Sequence, residues 1–383
     1  MRAARRLSHT EVQPVTVLLA FRLGLALTLV CILVGAVTGG LVRAGSVAAW
    51  LRSFTWVGNA AVDHAALMLS SFFGSVIGVE RAVALRQRWA FVPPLASAIS
   101  GVLLLSGHAA AGAWSGLLAS CVFVAVNFIF LFHQPHIHIA LLLVSGLAWV
   151  GGNALFAIDQ NAARALPWWF AFIVLTITAE RLEMYRLMRC HVWAYPSLLV
   201  SVTGLLAGAA LSSVNPVFGG VLYGSALAAL ALWLGVFDIA RRTVLAQGVS
   251  RYMALCLLSG YAWMGVAGVA WIGTALGCPG RDMALHALGL GFIISMVMGH
   301  APVILPAVAN IKLLFGTWFY VPLVMLHASL LVRLFGGMVN PNLRAHGTQL
   351  NALALGCFVA AVAASAIAWR LQHHSNRPAT VAE

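Results

Sequence analysis

Charge is what this chain has least of. Only 8% of its 383 residues are Asp, Glu, Lys or Arg, whereas 62% are hydrophobic. A soluble domain of that size would have too few charges to cover its surface. The net charge of +13 is therefore no nucleic-acid signal and reads as loop charge that orients a membrane protein. Paired thiols are missing too. The cysteines at 31, 121, 190, 256, 278 and 357 form neither C-x-x-C nor C-x-x-C-H. Only Cys278 is expected to be exposed on the outer side, so no disulfide framework follows, and most of the others read as small apolar fillers within helices. The chain also lacks the alternating ten-residue segments of a β-barrel, a P-loop, an extramembrane domain, and any low-complexity segment before the polar tail 371–383. Any activity must lie in the membrane or at its faces. Glu80-Arg81 and Glu180-Arg181 occupy similar positions, but two dipeptides do not make an internal repeat.

What is present is long apolar runs. The first follows RAARR as a signal peptide would, yet it runs past residue 40, contains Arg22 and has no A-x-A site, so it reads as a retained helix. Runs separated by Arg, Pro, Asn or Gly predict twelve spans near 16–42, 60–83, 89–106, 110–132, 137–158, 166–188, 193–212, 217–238, 252–276, 283–306, 316–336 and 348–370. Residues 1–383 thus form a single polytopic all-α membrane domain. One side collects Arg2, Arg5, Arg6, Arg22, Arg81, Arg86, Arg88, Arg181, Arg186, Arg189, Arg241, Arg242, Arg251, Lys312, Arg370 and Arg377; the other has Arg43, Arg52, Arg164, Arg281, Arg333 and Arg344. Sixteen against six predicts that both termini, and the tail 371–383, are cytoplasmic.

The histidines carry the functional signal. Span 10 contains MALHALGLGFIISMVMGHAPVILP, residues 283–306, with no formal charge but with His286 and His300. In an ideal α-helix, fourteen residues return to within about 40° over about 21 Å, so the two imidazoles would share a stripe, one near each leaflet. Either they are ligands for haem iron or copper, or they are packing glue between helices. His64 lies four residues into span 2 and His286 four into span 10, and both spans run from outside to inside. Their matched depth suits two imidazoles on facing helices that share one haem. Asp63 and Asp282 are placed to accept a ligating ring N–H, or are simply wet interfacial acids. Met68, one turn below His64, would line the same site. His133, His136 and His138 cluster around Pro135 between spans 4 and 5, either as a copper or zinc site or as a polar interfacial turn. His327 lies mid-span in span 11 and needs a partner; it is a candidate second ligand to a group held by His300, although the depths match poorly. His108 lies at an outer loop and His191 begins span 7 on the cytoplasmic side; His9, His346, His373 and His374 read as solvated tail or loop residues and are given no role.

Span 6 carries Glu180, Arg181, Glu183 and Arg186. Glu183–Arg186 reads as an i,i+3 pair, and Glu180 can meet Arg81 or Arg181. This is a salt-bridged helix end, or else a proton relay or a clamp for haem propionates.

DHAALMLSSFFGSVIG in span 2, A-L-H-A-L in span 10 and T-A-E-R-L-E in span 6 resemble the NnrS-like membrane proteins, which in turn resemble subunit I of the haem-copper oxidases. The resemblance implies a twelve-helix bundle in a bacterial inner membrane, holding haem b and copper and tied to nitric oxide metabolism or response. By position, His64 and His286 match the ligands of the oxidases' low-spin haem. Those oxidases carry copper-binding histidines in spans 6 and 7 and a span-10 histidine pair separated by one residue. Here span 6 has none and the span-10 pair is fourteen apart, so a binuclear centre that reduces oxygen or nitric oxide is not expected. The resulting expectation is a haem- and copper-binding protein of electron transfer or nitric oxide response, with the lipid bilayer and a redox protein as partners. A proton-coupled transporter and an assembly factor for a membrane respiratory complex are the alternatives. No catalytic residue is assigned.

Overall fold

The computed structural model describes residues 12–186, 191–309 and 311–375. Twelve helices are long and apolar enough to cross a membrane: Arg22–Arg43, Ala66–Leu85, Arg88–Leu105, Ala109–His133, Ile137–Asp159, Ala162–Tyr185, Ala194–Leu211, Pro216–Phe237, Gly248–Ala275, Arg281–Ala307, Thr317–Val339 and Pro341–Gln372, taken here as spans 1 to 12. They coincide with the expected spans to within a few residues at most ends. The largest differences are at helix starts. Span 12 begins at Pro341 because Asn340 and Pro341 make an N-terminal signal, with Asn340 Oδ1 accepting from the Asn342 N–H at 2.9 Å. Arg2, Arg5, Arg6, His9, Arg189, Cys190 and Arg377 lie outside the described residues, as do residues 376–383 of the tail and the side chains of His373 and His374.

Three spans contain π-helical turns: Ala66–Phe72 in span 2, Ala287–Ile294 in span 10 and Val332–Gly336 in span 11. A π turn carries one residue more than an α turn, and such turns concentrate at functional sites. Here one starts two residues after His64, one directly after His286, and the third contains Arg333. The extra residue also rotates everything beyond it by about 100°. His286 and His300 therefore do not share the common stripe that ideal α geometry predicts.

A widened turn disturbs backbone hydrogen bonds that lipid cannot replace. In span 2 hydroxyls supply the repair. Ser97 Oγ, from span 3, donates to the Ser70 and Ser71 carbonyls at 2.7 and 3.2 Å, and Ser75 Oγ lies 2.7 Å from the Ser71 carbonyl. Ser70 itself enters a buried network. Its hydroxyl donates to Asn153 Oδ1 at 2.8 Å and accepts from Trp149 Nε1 at 3.0 Å. Asn153 also accepts from Trp169 Nε1 at 2.9 Å and donates to the Gly116 carbonyl at 2.8 Å. One asparagine thus joins spans 2, 4, 5 and 6. Trp149 stacks on Phe172, with ring centroids 4.6 Å apart, and Gly74 leaves space for its edge. Elsewhere, spans 8 and 9 approach through Gly224 and Gly268; a Cβ on either would stand 2.6 Å from the other's carbonyl oxygen.

Asn153→Leu orphans two buried donors and a carbonyl, at a cost of about 2–4 kcal/mol. Unfolding of the detergent-purified protein should register that loss; a change below about 0.5 kcal/mol would show that the network is dispensable.

Candidate functional site

At the end of the bundle where the even-numbered spans begin lies a cavity of about 510 Å³. Its lower wall is apolar, with Met68, Leu69, Phe73, Phe170, Leu290 and Leu355. His64 and His286 face each other across it. Their ring centroids are 6.5 Å apart and their planes differ by 23°. Two imidazoles bound on opposite sides of one metal through nitrogens about 2.0 Å away have centroids about 6.2 Å apart, since each ring adds about 1.1 Å.

Span 1 holds His64. The ring Nδ1 lies 2.7 Å from the Ala36 carbonyl and donates to it. One turn later Gly40 packs on the ring: a Cβ there would stand 3.0 Å from Cε1. No protein atom among the described residues bonds its Nε2. Asp63 lines the cavity and is buried, and the His64 Nδ1–H goes to the Ala36 carbonyl instead. The expected supporting role of Asp63 is thus filled by backbone.

His286 is held from its own helix. Nδ1 lies 3.0 Å from the Asp282 carbonyl and 2.9 Å from Asp282 Oδ1. The Asp282 carboxylate is gripped by Arg333, with Nη2 at 2.9 Å and Nε at 3.2 Å. The same Nη2 lies 3.0 Å from His286 Nε2 and donates to it. Arg333 is only 7% exposed. It is the main residue that sequence reasoning missed, having been counted as loop charge. Six residues past His327 in an apolar run, it was legible as an intramembrane ion. Arg43 and Arg281, also read only as loop charges, sit at the cavity mouth; among the described residues neither has a carboxylate oxygen within 4.0 Å.

The family model for a domain of unknown function, DUF8744, matches residues 22–367. The chain belongs to that family. No curated protein and no solved structure matches it.

The remaining candidates lie elsewhere. His300 donates through Nδ1 to the Met296 carbonyl at 2.7 Å, and its buried Nε2 has no partner among the described residues. His327 accepts at Nδ1 from Trp263 Nε1 at 2.9 Å and stacks on that indole. No hydrogen bond or ring contact among the described residues joins it to His300. His133 turns back to the Ile129 carbonyl at 2.7 Å, while His136 and His138 stack with centroids 5.6 Å apart. Among the described residues no three His, Cys, Asp or Glu side chains converge on a metal position. At the end opposite the cavity, Arg81 Nη2 lies 2.7 Å from Glu80 and 3.6 Å from Glu180. Arg181 faces Asp238 at 4.0 Å, and Tyr261 donates to the same carboxylate at 2.8 Å. Glu183 and Arg186 are exposed and form no ion pair with each other among the described residues, so the expected i,i+3 pair is absent.

A double-mutant cycle of Asp282→Asn with Arg333→Gln should show a coupling of about 1–2 kcal/mol in unfolding, given a buried guanidinium and a partly exposed carboxylate. Strict additivity would mark the pair as an unimportant surface contact.

Proposed function

We propose that this protein binds a b-type haem through His64 and His286, as a membrane electron-transfer or gas-responsive haem protein without an oxygen- or nitric-oxide-reducing centre. The 6.5 Å separation of the two imidazoles carries the reading. Three further features support it. Both Nδ1 atoms are committed to oxygen acceptors, which leaves the His64 Nε2 lone pair for a metal; that of His286 would have to exchange its Arg333 donor for one. The cavity volume falls in the range of compact organic ligands. Its walls combine an apolar floor, suited to a porphyrin, with Arg43 and Arg281 at the mouth, suited to two carboxylates. The bound haem would supply reversible one-electron chemistry.

The protein's own contribution is positional and electrostatic. Ala36 and Gly40 fix the orientation of His64; Asp282 fixes that of His286. The apolar floor keeps water away, and Arg43 and Arg281 favour anionic groups at the mouth. The sequence's basic-residue bias orients this mouth away from the cytoplasm, in a bacterial inner membrane with both termini cytoplasmic. The His133, His136 and His138 turn takes no part in this proposal, which concerns the haem site.

The visible spectrum of the detergent-purified protein, with iron and copper counted, tests this. The expected result is a Soret band that sharpens and shifts on dithionite reduction, with one iron per chain and no stoichiometric copper. His64→Ala and His286→Ala should each remove or shift the band. A featureless spectrum from haem-replete cells, or full and unshifted bands in both variants, would overturn the proposal.

A further inference from the structure

At the same end of the bundle lies a second cavity, of about 260 Å³, bounded by the ends of spans 6 to 10. It shares a wall with the larger one: Ala163, Leu166, Arg281 and Leu285 line both. Its size is below the usual range of compact organic ligands, so it takes one substituted ring and no second porphyrin. Arg281 and Ala163 stand at the first turns of spans 10 and 6, and Trp271 and Leu285 lie about one helical turn, or about 5 Å, deeper. The cavity is thus polar at its rim and apolar at its base.

Three features equip it for a ligand. Arg281 has no carboxylate oxygen within 4.0 Å among the described residues. Pro167 has no N–H, so the Ala163 carbonyl lacks the donor that an α-helix would give it. Trp271 is held in place: the Tyr223 ring lies 4.7 Å away, and Tyr223 is itself fixed by its O–H, which donates to the Pro167 carbonyl at 2.8 Å. Phe170 meets Trp271 edge-on at 6.1 Å and also lines the larger cavity. An aromatic pair therefore spans the wall between the two cavities.

We propose that this second cavity binds the ring of a lipid-soluble quinone or quinol, against Trp271 and with a ring oxygen at Arg281. The choice of a redox-active ring rests on the haem reading above, because the cavity adjoins that site. The guanidinium donates to a quinone carbonyl, and the open Ala163 carbonyl accepts from a quinol hydroxyl, so both redox forms find a partner. With five N–H groups, Arg281 can face both cavities. The indole offers the ring a stacking surface. Oxygens at the rim and an apolar tail in the bilayer follow the polarity of the walls. A phospholipid matches less of the site: its phosphate has no donor for the Ala163 carbonyl, and its acyl chain has no use for an aromatic surface.

The probe is a radiolabelled decyl-substituted benzoquinone, equilibrated with the full-length protein in phosphatidylcholine nanodiscs and counted as the excess over empty nanodiscs. The visible spectrum is recorded on the same sample. Wild type should bind saturably, about one per chain. Trp271→Leu should weaken binding about 10-fold, and Trp271→Phe, which keeps a ring and serves if the leucine variant does not fold, should weaken it less. Arg281→Gln should weaken it about 3- to 10-fold. Trp271 lines the smaller cavity and not the larger, so weaker binding with an unchanged visible spectrum separates this site from the haem cavity. No saturable binding by wild type would overturn the inference, as would an affinity that ignores both Trp271 variants. Binding abolished when phosphatidylglycerol replaces phosphatidylcholine would give the cavity to an anionic lipid and overturn it too. Saturable, Trp271-dependent binding by a protein without any Soret band would support this site and remove only the haem.

Discussion

A lipid surround offers no hydrogen bonds, so every departure from α-helical geometry inside this bundle has to be repaired by the protein itself. That constraint explains much of the interior. The π turn after His64 is stitched by Ser97 and Ser75, and Ser70 on the same turn is tied to Asn153 and Trp149. The hydroxyls and the asparagine are there because span 2 is widened there. The widening sits immediately below a histidine that faces a cavity. The π turn and its repair therefore sit next to one imidazole, and spans 3, 4, 5 and 6 are tied to that turn.

The cavity's two walls differ in how they use backbone and charge. On the His64 side a carbonyl and a glycine do the holding, so the ring is fixed without any ion. On the His286 side an aspartate and an arginine do it, through a fork of two hydrogen bonds. Backbone contacts give one rigid orientation. A charged fork gives orientation together with an alternative donor for the ring. The same pair of residue types thus acquires two mechanical characters from its neighbours, which no reading of the histidines alone would reveal.

Much of the architecture was legible in the sequence, because hydropathy and length alone identify spans, and the depth of a residue follows from counting. That is why His64, His286, Asp282 and Met68 were found together. What counting cannot see is hydrogen-bond register. One inserted residue per π turn leaves composition unchanged but rotates all that follows, and this is what separates His300 from the His286 stripe. Nor does density in sequence mean convergence in space. His133 ends a helix and satisfies that helix's own carbonyl, so the histidine-rich turn does not close on a shared point. Arg333 was overlooked for the opposite reason: it was counted with the loops, although it is buried beside His286.

The distribution of charge differs between the two ends of the bundle. At the end opposite the cavity the buried cations meet acids: Arg81 lies between Glu80 and Glu180, and Arg181 faces Asp238. At the cavity end Arg333 is matched by Asp282 and Arg164 by Asp159, but Arg43 and Arg281 are not matched within 4.0 Å among the described residues. A cation held at the rim of an apolar cavity attracts anionic groups more strongly than it would in water, because the effective dielectric constant is lower. The same lining also holds the buried Asp63, which has no cation within 4.0 Å among the described residues, so the cavity carries charge of both signs. The haem proposed above therefore rests on the facing imidazoles and the apolar floor more than on the sign of the mouth.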